Sequence, residues 1–380
     1  MYDLTAVRAL FPITETHAYL NNAGIGPLST RAHAAGVAFL DERMRDPWPE
    51  PAPTALIRLA QRKNHVRRLF ADLIGAPHHT VGLTESTSAG ENIIVKALTW
   101  HPGDNVVLDD LHYESSLLIY RELAKRHGVE IRMVHHVDGR ITPDQIAAVC
   151  DARTRMVSIA WVSNRNGFRH DVAQIATIAH QHGAYLFVDA IQAVGTFAMD
   201  VVRDGVDFLA CGSYKWLYSN FGVSFLYVNE ALLPHIPSDR FGHTHITSNT
   251  PDFSDYTLQP DGRKFEYAAI AHTSLAQIEA GLLLLHELGI DQIEQHSLTL
   301  AQSTWQRIHA LGYQMFTPPN THSAIVAFVP RGDATLLEQR LAAAQVSCML
   351  REGNSSVRLG IGLFNTTDDI DRLIDVLKQF

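Results

Sequence analysis

Three short stretches of this 380-residue chain carry residue types that can do chemistry. In Tyr185-Leu-Phe-Val-Asp-Ala-Ile-Gln192 an apolar run ends on Asp189, and an acid at the carboxyl end of a buried strand stands where open α/β sheets receive ligands. Strand-end aspartates also cap following helices, so alone this run divides evenly between the two readings. In Phe208-Leu-Ala-Cys-Gly-Ser-Tyr-Lys-Trp-Leu217 a second apolar run is followed by Lys215 among Tyr214, Trp216 and Tyr218. Burial beside aromatic rings disfavours the ammonium form, and a lysine that releases its proton near neutral pH can form a Schiff base. Alone, a lysine whose stem packs at a helix start is the more ordinary outcome. In Val81-Gly-Leu-Thr-Glu-Ser-Thr-Ser-Ala-Gly90 a third run enters a hydroxyl-rich stretch. Free N–H groups at a helix start, joined by the Ser86, Thr87 and Ser88 hydroxyls, suit a phosphate. An ordinary N-cap needs one hydroxyl, and here there are four within five residues.

The elements that must position these residues follow from the pattern around them. Short apolar runs at Asn105–Leu108, Ile131–Val134, Met156–Trp161, Tyr185–Val188, Phe208–Cys211 and Val223–Val228 alternate with helix-period stretches at Ser115–His127, Asp144–Cys150 and Val172–His182. That alternation predicts βαβ crossovers and a mostly parallel sheet. Four prolines between Pro234 and Pro260 predict a long irregular loop. A helix over Ser274–Leu288 then leads into a tail that reads helix, strand, strand, helix, strand, strand, helix, an α+β second domain.

Composition excludes several classes. With 46% hydrophobic and 19% charged residues the chain can bury a large core, which rules out a disordered or fibrous protein. Lys plus Arg number 31 against 40 Asp plus Glu, a net charge of −9, so the basic excess that nucleic acid demands is missing. Cys150, Cys211 and Cys348 are too few and too far apart for a disulfide framework. The first residues lack a basic leader and no apolar run approaches a membrane span, so a cytoplasmic protein without membrane contact is expected. The 21 histidines include His243-Thr-His245, His78-His79 and His135-His136, none at a metal-ligand spacing, so no metal is expected.

Val-Asp-Ala-x-Gln, a Ser-Tyr-Lys-Trp strand end about 25 residues on, and a preceding Thr-x-Ser-Thr turn together resemble the class V aminotransferase group of fold-type I pyridoxal-phosphate enzymes. That group includes cysteine desulfurases, C–S lyases, isopenicillin-epimerase-like proteins and kynureninases. The likeness runs from Tyr19-Leu-Asn-Asn-Ala-Gly-Ile-Gly-Pro27 to Val357-Arg-Leu-Gly-Ile-Gly-Leu-Phe-Asn-Thr-Thr367. It implies an α/β fold-type I transferase with a mostly parallel seven-stranded sheet and a smaller α+β C-terminal domain. Its divisions would be an N-terminal arm (1–20) packing on the small domain, a large cofactor domain (21–273), a linking helix (274–290) and a small domain (291–380). The cofactor implied is pyridoxal 5'-phosphate. Lys215 would be the Schiff-base lysine and the base at the substrate α-carbon, and Asp189 the partner of the pyridinium nitrogen. Gln192 and Asn164 would meet the phenolic oxygen, and Ser86, Thr87 and Tyr214 the phosphate. His112 or Tyr113 would cover the cofactor face, Tyr113 being preferred. Arg358 would clamp the substrate α-carboxylate, with Asn22 and Ala23 nearby.

The activity implied is α-proton removal from an amino acid bound as its external aldimine, leading to a β-lyase that cleaves a C–S or C–C bond. Epimerisation and transamination share the same machinery, and a non-catalytic regulator of this fold is the reading from another class. A homodimer with shared active sites is expected. Two departures bear on this. Desulfurases carry a nucleophilic cysteine on a loop shortly before the position of Arg358. The link Arg351-Glu-Gly-Asn-Ser-Ser-Val-Arg358 has none, and the expectation is that persulfide-forming desulfurase chemistry is absent, with Cys348 structural. Phe265-Glu-Tyr-Ala-Ala269 also lacks the Gly-Thr whose hydroxyl reaches a neighbouring subunit's phosphate, leaving Thr273 or Ser274 as substitutes. Phe241–Thr247 and Arg43–Trp48 are the expected specificity segments.

Overall fold

A strand without polar alternation has to be covered on both faces, and the runs between Val81 and Val228 meet that demand in one sheet. The structure is a computed structural model that describes residues 2–45, 52–351 and 355–380. The chain enters through α1 (Leu4–Ala9), β1 (Ala18–Tyr19), α2 (Thr30–Arg45) and α3 (Ala52–Leu73). It then alternates through β2 (Val81–Thr84), α4 (Thr87–Ala97), β3 (Asn105–Asp109), α5 (Glu114–His127), β4 (Glu130–Val134) and α6 (Pro143–Ala147). There follow β5 (Thr154–Ala160), α7 (Val172–Gln181), β6 (Tyr185–Asp189), β7 (Phe208–Gly212) and β8 (Ser224–Val228). These strands form the expected seven-stranded sheet, ordered β2-β8-β7-β6-β5-β3-β4. Only β8 runs antiparallel to its neighbours.

Alternate residues of each strand feed two cores. Val107, Val157, Val188 and Leu209 point to one face, and Val106, Met156, Phe187 and Phe208 to the other. Each such side chain stabilises the fold by about 1.5–3 kcal/mol, which holds the strand ends rigid. The helix ends are set locally. Ser86 caps α4 by accepting from Ala89 N, and Gly128, at φ 69°, closes α5 in the left-handed conformation. The α6 helix is shorter than its pattern predicted, because Asp151 Oδ1 accepts from Arg153 N in a tight turn that leads into β5.

After β8 the proline-rich stretch is less irregular than expected: β9 (Ile246–Asn249) and β10 (Tyr256–Leu258) form a hairpin. Its Pro251 lies in the connecting turn and Pro260 beyond β10, so neither removes a ladder N–H. The chain continues through α8 (His272–Leu288), α9 (Ile290–Ala310), β11 (Ile325–Phe328), α10 (Ala334–Ala343), β12 (Val346–Ser347), β13 (Met349–Leu350), β14 (Val357–Gly360) and α11 (Thr367–Lys378). The expected strand between α9 and β11 is reduced to one bridge, Met315 to Phe328, since Pro318 and Pro319 follow at once. β11, β14 and β13 form an antiparallel sheet, and β1 pairs in parallel with β12. Arg8 reaches Asp369 at 2.8 Å, so the N-terminal residues are tied to the C-terminal ones by strand pairing and an ion pair.

Candidate active site

The carboxyl ends of β2, β3, β5, β6 and β7 open on one edge of the sheet, and of the residues singled out above all but Asn22, Ala23 and Arg358 lie at those ends or in the segments that leave them. Lys215 sits three residues beyond β7 and is only 7% exposed. Burial lowers its amine to about 8 against the attraction of Asp189, and Arg358 lowers it further. The Tyr113 and Tyr214 ring centroids lie 5.9 and 5.7 Å from Nζ. The segment after β1 presses on the lysine's own backbone. Gly26 N donates to Tyr214 O at 2.9 Å, and a Cβ on Gly26 would stand 1.9 Å from the Lys215 carbonyl oxygen.

Asp189 ends β6 with one oxygen accepting from Ile191 N at 3.0 Å. Burial raises its pKa, while His112 and Lys215 draw it back down. Gln192 is held from both ends, with Oε1 accepting from Trp216 Nε1 at 2.8 Å and Nε2 donating to Ala23 O at 2.9 Å. One N–H of that amide is left for a ligand. Asn164 is buried with its side-chain oxygen unpartnered. Thr87 Oγ1 accepts from Gly212 N at 2.9 Å, fixing the start of α4 against the end of β7. Tyr214 stacks on Phe221 with centroids 4.3 Å apart, and burial pushes its hydroxyl up to about 12.

The two aromatic candidates after β3 differ in setting. Tyr113 is 40% exposed, whereas His112 is 1% exposed and bonded at both ring nitrogens. Arg358, on β14, is 3% exposed. Its Nη1 donates to the Asn164 carbonyl at 2.7 Å, its Nη2 contacts Met349 Sδ at 3.0 Å and its Nε is unpartnered. Burial lowers it to about 10, and Arg351 adds to that. Among the described residues no carboxylate pairs with it. Asn22 is wholly buried, its Nδ2 donating to Gly360 O at 2.9 Å and its Oδ1 unpartnered. Ala23 presents its carbonyl to Gln192 rather than to the opening.

Sequence reasoning passed over Arg351, which bridges to Glu114 at 2.7 Å beside Arg358. It also passed over the buried acid Glu91. The signal for Glu91 was present, since a lone carboxylate stands beside Ile93 and Ile94 on the face of α4 that meets the sheet. The expected substitutes at 273–274 are partly engaged, Ser274 Oγ donating to Phe221 O at 2.8 Å. His245 of the His243–His245 pair is buried and bonded to the Lys264 carbonyl, and no cluster of metal-ligating side chains occurs among the described residues. No described helix is long and apolar enough to cross a membrane. Of the specificity segments, 46–48 lies outside the described residues, as does 352–354 of the link before Arg358.

A buried amine of lowered pKa, an acid at the neighbouring strand end and a hydroxyl-lined helix start meet on one sheet edge, the arrangement of the fold-type I enzymes. The model of the aminotransferase class-V family matches residues 52–373, and the chain belongs to that family, whose cofactor is pyridoxal 5'-phosphate. It is 25% identical over 391 residues to a probable cysteine desulfurase of Methanothermobacter thermautotrophicus, covering 98% of this chain and 97% of the relative. It is 26% identical to a cysteine desulfurase of Haloferax volcanii, covering 99% and 96%. Among solved structures it resembles the Escherichia coli cysteine desulfurase CsdA (TM-score 0.88, 22% identity, 100% and 98% covered). It also resembles the cystine C–S lyase C-DES bound to its product cysteine persulfide (TM-score 0.89, 22% identity, 97% and 99% covered). The residues present fit the cofactor, with an amine that can lose its proton near neutral pH, an acid for the ring nitrogen, a free Gln192 N–H beside the buried Asn164 side chain and the start of α4 for the phosphate.

One expectation is corrected by these relatives. Persulfide-forming desulfurase chemistry was excluded because the Arg351–Arg358 link has no cysteine, yet the relatives are named cysteine desulfurases and the cystine lyase yields a persulfide. The physical reason is that two events are separable. Breaking a C–S bond needs no thiol of the protein, and a disulfide substrate brings its own second sulfur, so a cysteine in that link is not a requirement for forming a persulfide.

Proposed function

We propose that the protein is a C–S bond-cleaving enzyme that acts on cystine, the disulfide of cysteine, releasing cysteine persulfide, and on cysteine itself, releasing sulfide. The observation that carries this reading is a buried arginine, Arg358, with no carboxylate partner among the described residues and within electrostatic reach of the Lys215 amine. A guanidinium stripped of water and left unpaired is costly, and a substrate α-carboxylate satisfies it through two parallel hydrogen bonds. The family names of the relatives supply the sulfur chemistry.

In this reading pyridoxal phosphate, when bound, supplies the electron sink that makes the α-proton acidic. Lys215 holds the cofactor and, once displaced by the substrate amine, removes the α-proton. Its amine, lowered to about 8, is near the value at which it can both take and return a proton at neutral pH. Asp189 keeps the ring nitrogen protonated. Asn164 and the free Gln192 N–H orient the phenolic oxygen, and Ser86, Thr87 and Tyr214 hold the phosphate at the start of α4. Tyr113, the more open of the two rings, covers the face. Arg358 fixes the carboxylate so that the Cα–H bond points at Lys215. The electron pair left at Cα forms the Cα–Cβ double bond as the Cβ–S bond breaks. From cystine the leaving group is the persulfide of the other half, and hydrolysis of the remaining fragment gives pyruvate and ammonia.

The thiols of Cys150 and Cys348 are pushed up to about 11 and about 12 by burial, and that of Cys211 is raised by its own burial. All three stay protonated, which favours a substrate-derived thiol as the carrier. The test is to supply cysteine and cystine separately and to measure pyruvate, ammonia, sulfide and cyanide-reactive persulfide sulfur. Equal amounts of pyruvate and persulfide from cystine are expected, and turnover without any C–S cleavage overturns the reading. Borohydride should trap the cofactor on Lys215, as located by mass spectrometry.

We also infer a homodimer. Ile25, Tyr113 and Phe221 are exposed apolar residues in segments around the site, and Phe241 after β8 and Val37, Leu40 and Met44 along α2 are exposed too, surface that a second copy would cover. Light scattering that finds an active monomer at micromolar concentration refutes it.

A further inference from the structure

Beneath the Lys215 opening lies a buried polar chain that none of the cofactor contacts uses. Glu91 is 1% exposed, in the middle of α4. Its Oε1 accepts from Ser158 Oγ at 3.2 Å, and its Oε2 accepts from Ser116 Oγ at 2.7 Å. Ser158 Oγ lies 3.1 Å from His112 Nε2, and His112 Nδ1 lies 2.8 Å from the backbone nitrogen of Tyr113. The proton positions follow from donor chemistry. A backbone N–H can only donate, so Nδ1 of His112 is the bare nitrogen, and the ring proton must sit on Nε2. That proton goes to Ser158 Oγ, whose own proton goes to Glu91. Every bond in the series therefore has one direction, and the imidazole is held neutral, in line with the fall in its pKa on burial.

We propose that Glu91 is a positioning residue: as the acceptor for Ser158 it orients His112, and through the His112–Tyr113 bond it sets the Tyr113 ring over the Lys215 amine. The groups packed around Glu91 are Ser116 and Tyr120 from α5, Ser158 from β5 and the Asp189 carboxylate from β6. Burial, with Asp189 adding to it, raises Glu91 to about 8. An uncharged acid here leaves Asp189 as the one carboxylate free to act on the cofactor nitrogen. What Ser158 needs from this position is an acceptor oxygen, not a charge.

The inference rests on the pyridoxal-phosphate reading but not on the choice of substrate. It is tested by titrating the visible absorption of the bound cofactor against pH and by separating kcat from KM in Glu91→Gln, Glu91→Leu and Ser158→Ala. Glu91→Gln keeps an acceptor for Ser158 and should stay within about twofold of the parent on both measures. Glu91→Leu and Ser158→Ala should move the apparent pKa of the visible band upward by about one pH unit, because the amine loses the ring that shields it. Both should lower kcat by roughly tenfold with KM nearly constant, as expected for misplacement of a reacting group. If Glu91→Leu does not fold, Ser158→Ala carries the test alone. A parent-like titration and kcat in Ser158→Ala, or Glu91→Gln as impaired as Glu91→Leu, overturns the proposal. A parent protein that binds no cofactor at all would instead overturn the reading on which it rests.

Discussion

Replacing Lys215 by methionine in the cofactor-free protein should make the fold more stable, and the size of the gain should depend on pH. The amine is held at about 8 against 10.5 when free, mainly by burial. The unfolded chain therefore binds this proton more tightly than the folded one between those two values. Below about pH 8 the penalty is fully present, and above 10.5 it is gone. At ~1.36 kcal/mol per pH unit the buried ammonium costs about 3 kcal/mol at pH 7. Methionine matches the stem and carries no charge, so the variant should exceed the parent by up to that amount at pH 7. Asp189 loses a favourable neighbour in the variant, which makes this an upper figure, and the change of the gap with pH is the sharper test. Urea midpoints of both cofactor-free proteins at pH 7, 8, 9 and 10 should show a gap that narrows steadily above pH 8. A gap of equal size at pH 7 and pH 10 would refute the burial of a strained amine, and with it the account of why Lys215 can serve as a base.

Two further outcomes are expected from the same geometry. Arg358→Ala removes a charge-assisted clamp worth about 2–4 kcal/mol, so kcat/KM should fall roughly 30- to 1,000-fold with the visible spectrum of the bound cofactor unchanged; equal turnover of amines lacking a carboxylate would count against an amino-acid substrate, and lysine should restore little of the loss. Gly26→Ala forces a methyl group into the Lys215 carbonyl, and the expected result is weaker cofactor retention at equilibrium dialysis, whereas unchanged retention would show that the segment after β1 does not hold the lysine loop.

The run of elements and the chemical residues at strand ends could be read without coordinates, because both are local. A strand buried on both faces is apolar along its length, and the residue just past it is placed by the strand itself, as with Asp189 and Lys215. The hairpin within the proline-rich stretch could not be read that way, because its pairing joins Thr257 to Ser248 across a turn. Nor could the exclusion of persulfide chemistry be made from a missing cysteine, since the fate of sulfur depends on what approaches the site from outside the chain.

Only the tertiary structure decided which side chains satisfy one another. Gln192 is legible as a candidate, but its anchoring by Trp216 and by Ala23, 169 residues away, is not. Arg358 meets Asn164 from 194 positions along the chain, and its lack of a carboxylate partner among the described residues is a property of the packed interior. Glu91 and Ser158 are separated by two strands and two helices in sequence, with His112 between them, and all three share one buried line of hydrogen bonds in space. Desolvation, which lowers Lys215 and raises Glu91, depends on every atom that excludes water from the site. A sequence shows which groups can ionise, and the fold determines how much that costs.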